Sequence, residues 1–69
     1  MDFKISLEAA RVNAGFSQKA AAKALGISNK TLSLWESGKA YPKADKIVAI
    51  CTLYATPYDR INFTPNNSL

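Results

Sequence analysis

The sequence predicts an all-α fold, a compact domain of five short helices, and three observations carry that expectation. Gly15, Gly26 and Gly38 divide the first half of the chain into breaker-free segments of helical length. In the second half, Ile47, Ile50, Cys51 and Tyr54 recur at the i, i+3, i+4, i+7 spacing of a buried helical stripe. No stretch alternates apolar and polar residues for long enough to predict a strand, and there are no internal repeats.

Helix one is expected over residues 6–14, with Glu8 near its start, where the helix dipole favours an acid, and Gly15 just past its end. Phe16-Ser17 then sets an apolar residue before a side chain able to cap free N–H groups. Helix two follows from Gln18 to Leu25, and its alanines let a neighbouring helix approach closely. Gly26-Ile27-Ser28 is the short, glycine-containing turn expected between two steeply crossing helices, and Ser28 is the next cap. Helix three, over 29–37, places Leu32 and Trp35 on one face and leaves Asn29, Lys30 and Ser33 polar.

After Gly38, Lys39-Ala40-Tyr41-Pro42 reads as a loop, and helix four carries the Ile47 to Tyr54 stripe. Thr56-Pro57-Tyr58-Asp59 supplies a cap, a proline at the first helical position and an early acid, so a short fifth helix should hold Tyr58 and Ile61 and end near Phe63. The domain thus spans residues 1–63, and the turn-rich polar stretch 64–69 is expected to be a loose tail.

A chain of 69 residues accommodates one domain with one small core, so any function sits on the surface of that unit. Its single cysteine cannot form an intramolecular disulfide, so helix packing or dimerisation must supply stability. Cys51 lies among Ile50, Leu53 and Tyr54. Without any histidine it has no base to activate it and no co-ligand for a metal site. Core is the reading for Cys51; no metal, no cofactor and no enzymatic activity are expected. No apolar run approaches the roughly 20 residues that span a bilayer, and the start lacks a signal peptide's apolar stretch. No membrane association and a cytoplasmic location are therefore expected.

The net charge of +4 is concentrated in the middle of the chain. Lys19, Lys23, Lys30, Lys39, Lys43 and Lys46 face only Glu36 and Asp45 there, whereas the charges of the two ends cancel. Clustered positive charge is the electrostatic footprint of a polyanion binder, although a lysine-dotted soluble surface has the same composition.

Two short helices around a glycine turn, the second with a polar leading face, form a shape that fits the major groove of DNA. The ordered set Arg11, Gly15, Ser17-Gln18, Ala22, Leu25-Gly26-Ile27-Ser28, Leu32-Ser33, Trp35-Glu36, Gly38-Lys39 and Pro42 resembles the lambda-repressor-like, or Cro/XRE-type, helix-turn-helix family. Ile50-Cys51-Thr52-Leu53-Tyr54 and Tyr58-Asp59-Arg60-Ile61 look like that family's closing helices. The resemblance covers about residues 5–63 and places the helix-turn-helix from Gln18 to Ser37.

The resemblance implies roles for individual residues. Ser17 and Gln18, at the start of helix two, resemble the family's phosphate-contacting positions, where free N–H groups and the dipole favour an anion. Ser28, Asn29, Lys30, Thr31, Ser33 and Leu34 resemble its groove-facing set. Asn pairs with adenine, Lys donates to guanine, and Leu packs on a thymine methyl. Leu34 departs from a usually polar position, and two orientations stay open for it: toward a base, or inward beside Leu32 and Trp35. Lys39 and Lys43 resemble the backbone-clamping residues after helix three, whereas Lys19, Lys23 and Lys46 are expected only to add to the field. Arg11 and Glu36 match a structural ion pair between helices one and three. Ala21 stands where the family more often has a bulkier aliphatic, so Phe16, Trp35 or Tyr54 must fill the space.

These expectations amount to a sequence-specific double-stranded DNA-binding transcriptional regulator, of the Cro or repressor kind found in phages and mobile elements. Its partner would be a pseudo-palindromic operator bound by a weak homodimer, including one that assembles only on DNA; Tyr58, Ile61, Phe63 and neighbouring tail residues are the apolar surface near helix five, unless the core fully occupies Ile61. With Met1 at the start and little chain after helix five, a separate effector domain is not expected. The alternative is an antitoxin-like or adaptor module that grips another protein and binds DNA only secondarily; the lysine-rich middle segment favours DNA.

Overall fold

A computed structural model describes residues 3–64, so the C-terminal part of the expected tail lies outside the described residues. Four α-helices form: α1 (Leu7–Asn13), α2 (Gln18–Leu25), α3 (Asn29–Glu36) and α4 (Ala44–Leu53). Serine caps set three of the starts. Ser6, Ser17 and Ser28 each accept, through Oγ, the N–H three residues ahead, at 2.9 to 3.0 Å. Ser6 is therefore a cap rather than the first helical residue, and Ser37 likewise closes α3 from outside it.

The expected fifth helix is a single 3-10 turn, Tyr58–Arg60, and the fold is not purely α. Directly after that turn Ile61 is extended, and β2 (Ile61–Asn62) pairs in parallel with β1 (Ile5–Ser6), in the register Ile5 to Ile61 and Ser6 to Asn62. The extended backbone turns Ile61 and Phe63 inward, to 2% and 5% exposure, on either side of the more open Asn62. A continued helix would not bury both, so core burial outcompetes the local proline and acid signals. The same burial removes Ile61 and Phe63 from the apolar surface expected to be free for pairing and leaves Tyr58 exposed.

The core is shared by all four helices and the ribbon. Leu7, Leu32, Ile50 and Ile61 are its largest fully buried side chains. α2 packs chiefly on α3, and the fully buried Ala21 and nearly buried Ala22 supply the small surface that permits this approach. The ring of Phe16 lies 6.1 Å from that of Tyr54, at a 38° tilt.

Each of the four helices is followed by left-handed backbone, at Gly15, Gly26, Gly38 and Ala55. Gly26 ends α2 at φ 71°, and the N–H of Ile27 returns to the Ala22 carbonyl at 3.0 Å. After α4 the same task falls to Ala55, at φ 52°, with Thr56 N–H donating to the Cys51 carbonyl at 3.0 Å. A side chain at Gly26 would meet nothing within 4 Å, so Gly26→Ala should cost only the conformational penalty, about 1 kcal/mol. Ala55→Gly should have the opposite sign and stabilise by up to about 1 kcal/mol. Paired urea melts check both; equal signs would contradict the conformational account.

Candidate nucleic-acid interface

α2 and α3 meet at the Gly26 turn, and the buried side of α3 is fixed by Leu32, fully buried, and Trp35. With that face inward, Asn29, Lys30, Ser33 and Ser37 are exposed on the other, and Thr31 and Leu34 lie between. The Ser28 hydroxyl accepts from Thr31 N–H at 3.0 Å and donates to Thr31 Oγ1 at 2.9 Å. Ser28 is thus largely occupied as a cap, and the Thr31 hydroxyl keeps its own proton to donate.

Leu34 is half-buried and does not belong to the core cluster around Leu32 and Trp35. Its carbonyl gathers the chain that follows: Lys39 N–H donates to it at 2.9 Å, Ala40 N–H at 3.3 Å and Ser37 Oγ at 3.1 Å. Neither orientation open from sequence included this backbone role.

Elsewhere on α3, Glu36 receives three hydrogen bonds. Arg11 Nε donates to Oε2 at 2.7 Å, Arg11 Nη2 to Oε1 at 3.4 Å, and Gln18 Nε2 to the same Oε1 at 3.0 Å. Arg11 Nη1 donates to the Phe16 carbonyl at 2.9 Å, and Glu8 stands 3.8 Å from Nη2. Arg11 is only 8% exposed, yet its pKa is raised, because hydrogen bonding to Glu36 outweighs the desolvation that opposes it. A shallow cleft of about 180 Å³ leads from Glu36 and Gln18 to Ser33 and Ser37 on the outer face. The bond from Gln18 to Glu36 was not foreseen; it orients the side chain at the start of α2.

Lys19, Lys23, Lys30, Lys39 and Lys43 are exposed, and among the described residues none is in an ion pair. Glu36, the carboxylate on α3, is engaged by Arg11, so the field around α2 and α3 is positive and little compensated. Lys46 does more than add to that field: Nζ donates to the Leu25 carbonyl at 3.0 Å, placing a cation at the C-terminus of α2 and tying α4 to it.

A family model for helix-turn-helix proteins of the Cro/C1 type matches residues 7–61, from the start of α1 to the core residue of β2. The chain belongs to this helix-turn-helix family. α2, the Gly26 turn and α3 are its helix-turn-helix, and the family is one of DNA-binding regulators. The HTH-type transcriptional activator BcrR of Enterococcus faecalis is 30% identical over 61 residues, which cover 88% of this chain and 30% of that protein. The helix-turn-helix chain thus spans about a third of the length of the curated relative it matches. No solved structure matches it significantly. Among the described residues, no helix is long and apolar enough to cross a membrane.

The Tyr54 hydroxyl is buried and has no hydrogen-bond partner among the described residues. Burial first, and then the Glu36 charge, push its pKa up to about 12, with Arg11 opposing. A phenol whose folded pKa lies above its unfolded value contributes stability that is complete below about pH 10 and lost as pH rises toward about 12. Tyr54→Phe should flatten that alkaline loss in pH-dependent melts and be neutral or slightly stabilising at pH 7. Glu36→Ala should instead destabilise by about 3 kcal/mol, because it leaves a nearly buried guanidinium unpaired. Thermal melts of the two variants at pH 7 test that contrast.

Proposed function

We propose that this chain is a sequence-specific double-stranded DNA-binding transcription regulator that reads the major groove with α3. The observation that carries this reading is the outer face of α3. Asn29, Lys30 and Ser33 are exposed there on a helix whose opposite face is locked by Leu32 and Trp35, and unpaired lysines flank it. Asn29 and Lys30 would read base edges, Ser33 and the Thr31 hydroxyl would add donors, and Leu34 would meet a thymine methyl.

Backbone contacts would come from both sides. Ser17 and Gln18 sit at the N-terminus of α2, where anions are favoured, and Glu36 holds Gln18 in place. Lys39 and Lys43 would clamp the strand beyond α3, and Ser28 would support the set as the cap of the reading helix. The family match and the relative, a transcriptional activator, both point to gene regulation.

Two copies on a pseudo-palindrome, with half-sites about 34 to 36 Å apart, would recover the affinity that one small module lacks. The exposed apolar residues nearest the 3-10 turn, Val48 and Tyr58, offer far less than the roughly 800 Å² per partner of a stable interface. The dimer would therefore be weak and assembled by its operator.

Selection of bound duplexes from random DNA, followed by salt titration on the winner and on a scrambled duplex, tests the reading. Preferred binding that weakens with salt is expected; no binding above background at low salt sinks it. Asn29→Ala should cut discrimination at one base position by about 1 to 3 kcal/mol, while Lys43→Ala weakens all duplexes alike and lowers the salt slope by about one. Equal effects on specificity would contradict these assignments.

A further inference from the structure

α2 hands the chain to α3 through only Gly26, Ile27 and Ser28, and the first two backbone donors of that turn are already committed. Gly26 N–H returns to the Lys23 carbonyl at 3.1 Å and Ile27 N–H to that of Ala22 at 3.0 Å. The carbonyl of Leu25, the last residue of α2, is served from outside the turn: Lys46 Nζ donates to it at 3.0 Å, across 21 positions of chain. A carbonyl at a helix end carries part of the negative pole of the dipole, so an ammonium there is held by charge as well as by its hydrogen bond.

The stem behind that ammonium is rooted in the core. Lys46 is half-buried and stands one turn before Ile50, fully buried on the same face of α4, and its neighbour Ile47 packs against the core cluster. α4 itself packs on α2. The strap from α4 therefore starts at a fixed point.

A second cation does the same at the opposite end of the helix-turn-helix. Arg11, from α1, holds Glu36, the last residue of α3, and Glu36 in turn accepts from Gln18, the first residue of α2. Arg11 thus secures the end where α2 begins and α3 stops, and Lys46 the end where α2 stops and α3 begins. A helix of eight residues held at one end swings the other by about 1 Å for a tilt of about 5°. Misplacement on that scale is enough to spoil a hydrogen-bonded recognition contact. The end that Lys46 secures is the leading turn of α3, which carries Asn29 and Lys30.

We propose that Lys46 is a positioning residue for base recognition: its bond to the Leu25 carbonyl sets the exit of the Gly26 turn, and so the placement of Asn29 and Lys30. This rests on the reading of α3 as the groove-facing helix and gives Lys46 a task other than the field to which sequence alone assigned it. The two tasks leave different signatures. A lysine that serves the field weakens binding to every duplex and changes the salt dependence, whereas loss of a positioning bond falls on base contacts, which a scrambled duplex does not make.

The test compares the wild-type chain with Lys46→Met, Lys46→Arg and Lys23→Met, at a temperature where thermal melts show every variant folded. Lys46→Met keeps the apolar stem and removes the ammonium, and Lys23→Met removes an equal charge from an exposed site on α2. Affinities for the selected and the scrambled duplex are measured across a salt series, and amide hydrogen exchange is measured at Gly26 and Ile27 in the free protein. Lys46→Met should lose about tenfold in preference for the selected duplex while keeping wild-type affinity for the scrambled one and the wild-type salt slope. Its Gly26 and Ile27 amides should exchange about tenfold faster. Lys46→Arg, which can donate to the same carbonyl, should hold the preference to within about twofold of wild type. Lys23→Met should weaken both duplexes alike and lower the slope. Unchanged preference in Lys46→Met, whatever its exchange rates, overturns the proposal, and so does an equal loss on both duplexes with a lowered slope; the regulator reading survives either result. Failure of the wild type to prefer any duplex overturns that reading and the proposal with it.

Discussion

The Glu36 carboxylate, near the C-terminus of α3, is where three helices are joined. α1 reaches it through Arg11 and α2 through Gln18, while Arg11 also donates through Nη1 to the Phe16 carbonyl between them. Apolar packing alone sets α3 against α2 along a surface of alanines, and such a surface tolerates sliding. A nearly buried guanidinium does not, because its donors are satisfied in one arrangement only, and an unsatisfied charge in the interior is costly. The pair thus fixes the rotation and depth of α3, and with them the direction in which Asn29, Lys30 and Ser33 point.

That constraint also divides the charges of the protein by task. Arg11 and Glu36 neutralise one another inside, Lys46 is spent on the end of α2, and the remaining lysines of the middle segment stand in water on α2, on α3 and between α3 and α4. Cys51 is half-buried, and desolvation raises its thiol pKa, which keeps it protonated and a poor nucleophile. The positive field therefore belongs to the surface around α2 and α3, where an anionic polymer would meet side chains with few competing partners.

The loop beyond α3 is similarly anchored. The Leu34 carbonyl catches it at one end, Pro42 is buried in its middle, and Phe63 from the far end of the chain supports Tyr41. The parallel ribbon of Ile5 and Ile61 is what brings Phe63 there. The last described residues of the chain thereby brace the segment that carries Lys39 and Lys43, although they lie far from it in sequence.

Local chemistry was enough to read most of the helical framework. The serine caps, the glycines at 26 and 38 and the Leu32–Trp35 spacing each act within a turn or two of chain, so the position of α2, the start of α3 and the polar face of α3 follow from sequence alone. The pairing of Arg11 with Glu36 was legible only through resemblance, since nothing local links residues so far apart. What the tertiary structure decided is whatever local preference and core burial contest. Thr56-Pro57 favours a helix, but Ile61 and Phe63 bury more surface when extended, so one 3-10 turn and a ribbon form instead. Lys46 and Tyr41 likewise look like ordinary surface residues, and Gln18 like a phosphate contact alone, until packing brings them to Leu25, Phe63 and Glu36. A sequence states what each segment prefers, whereas partners distant along the chain are set by closing one small core around all of them.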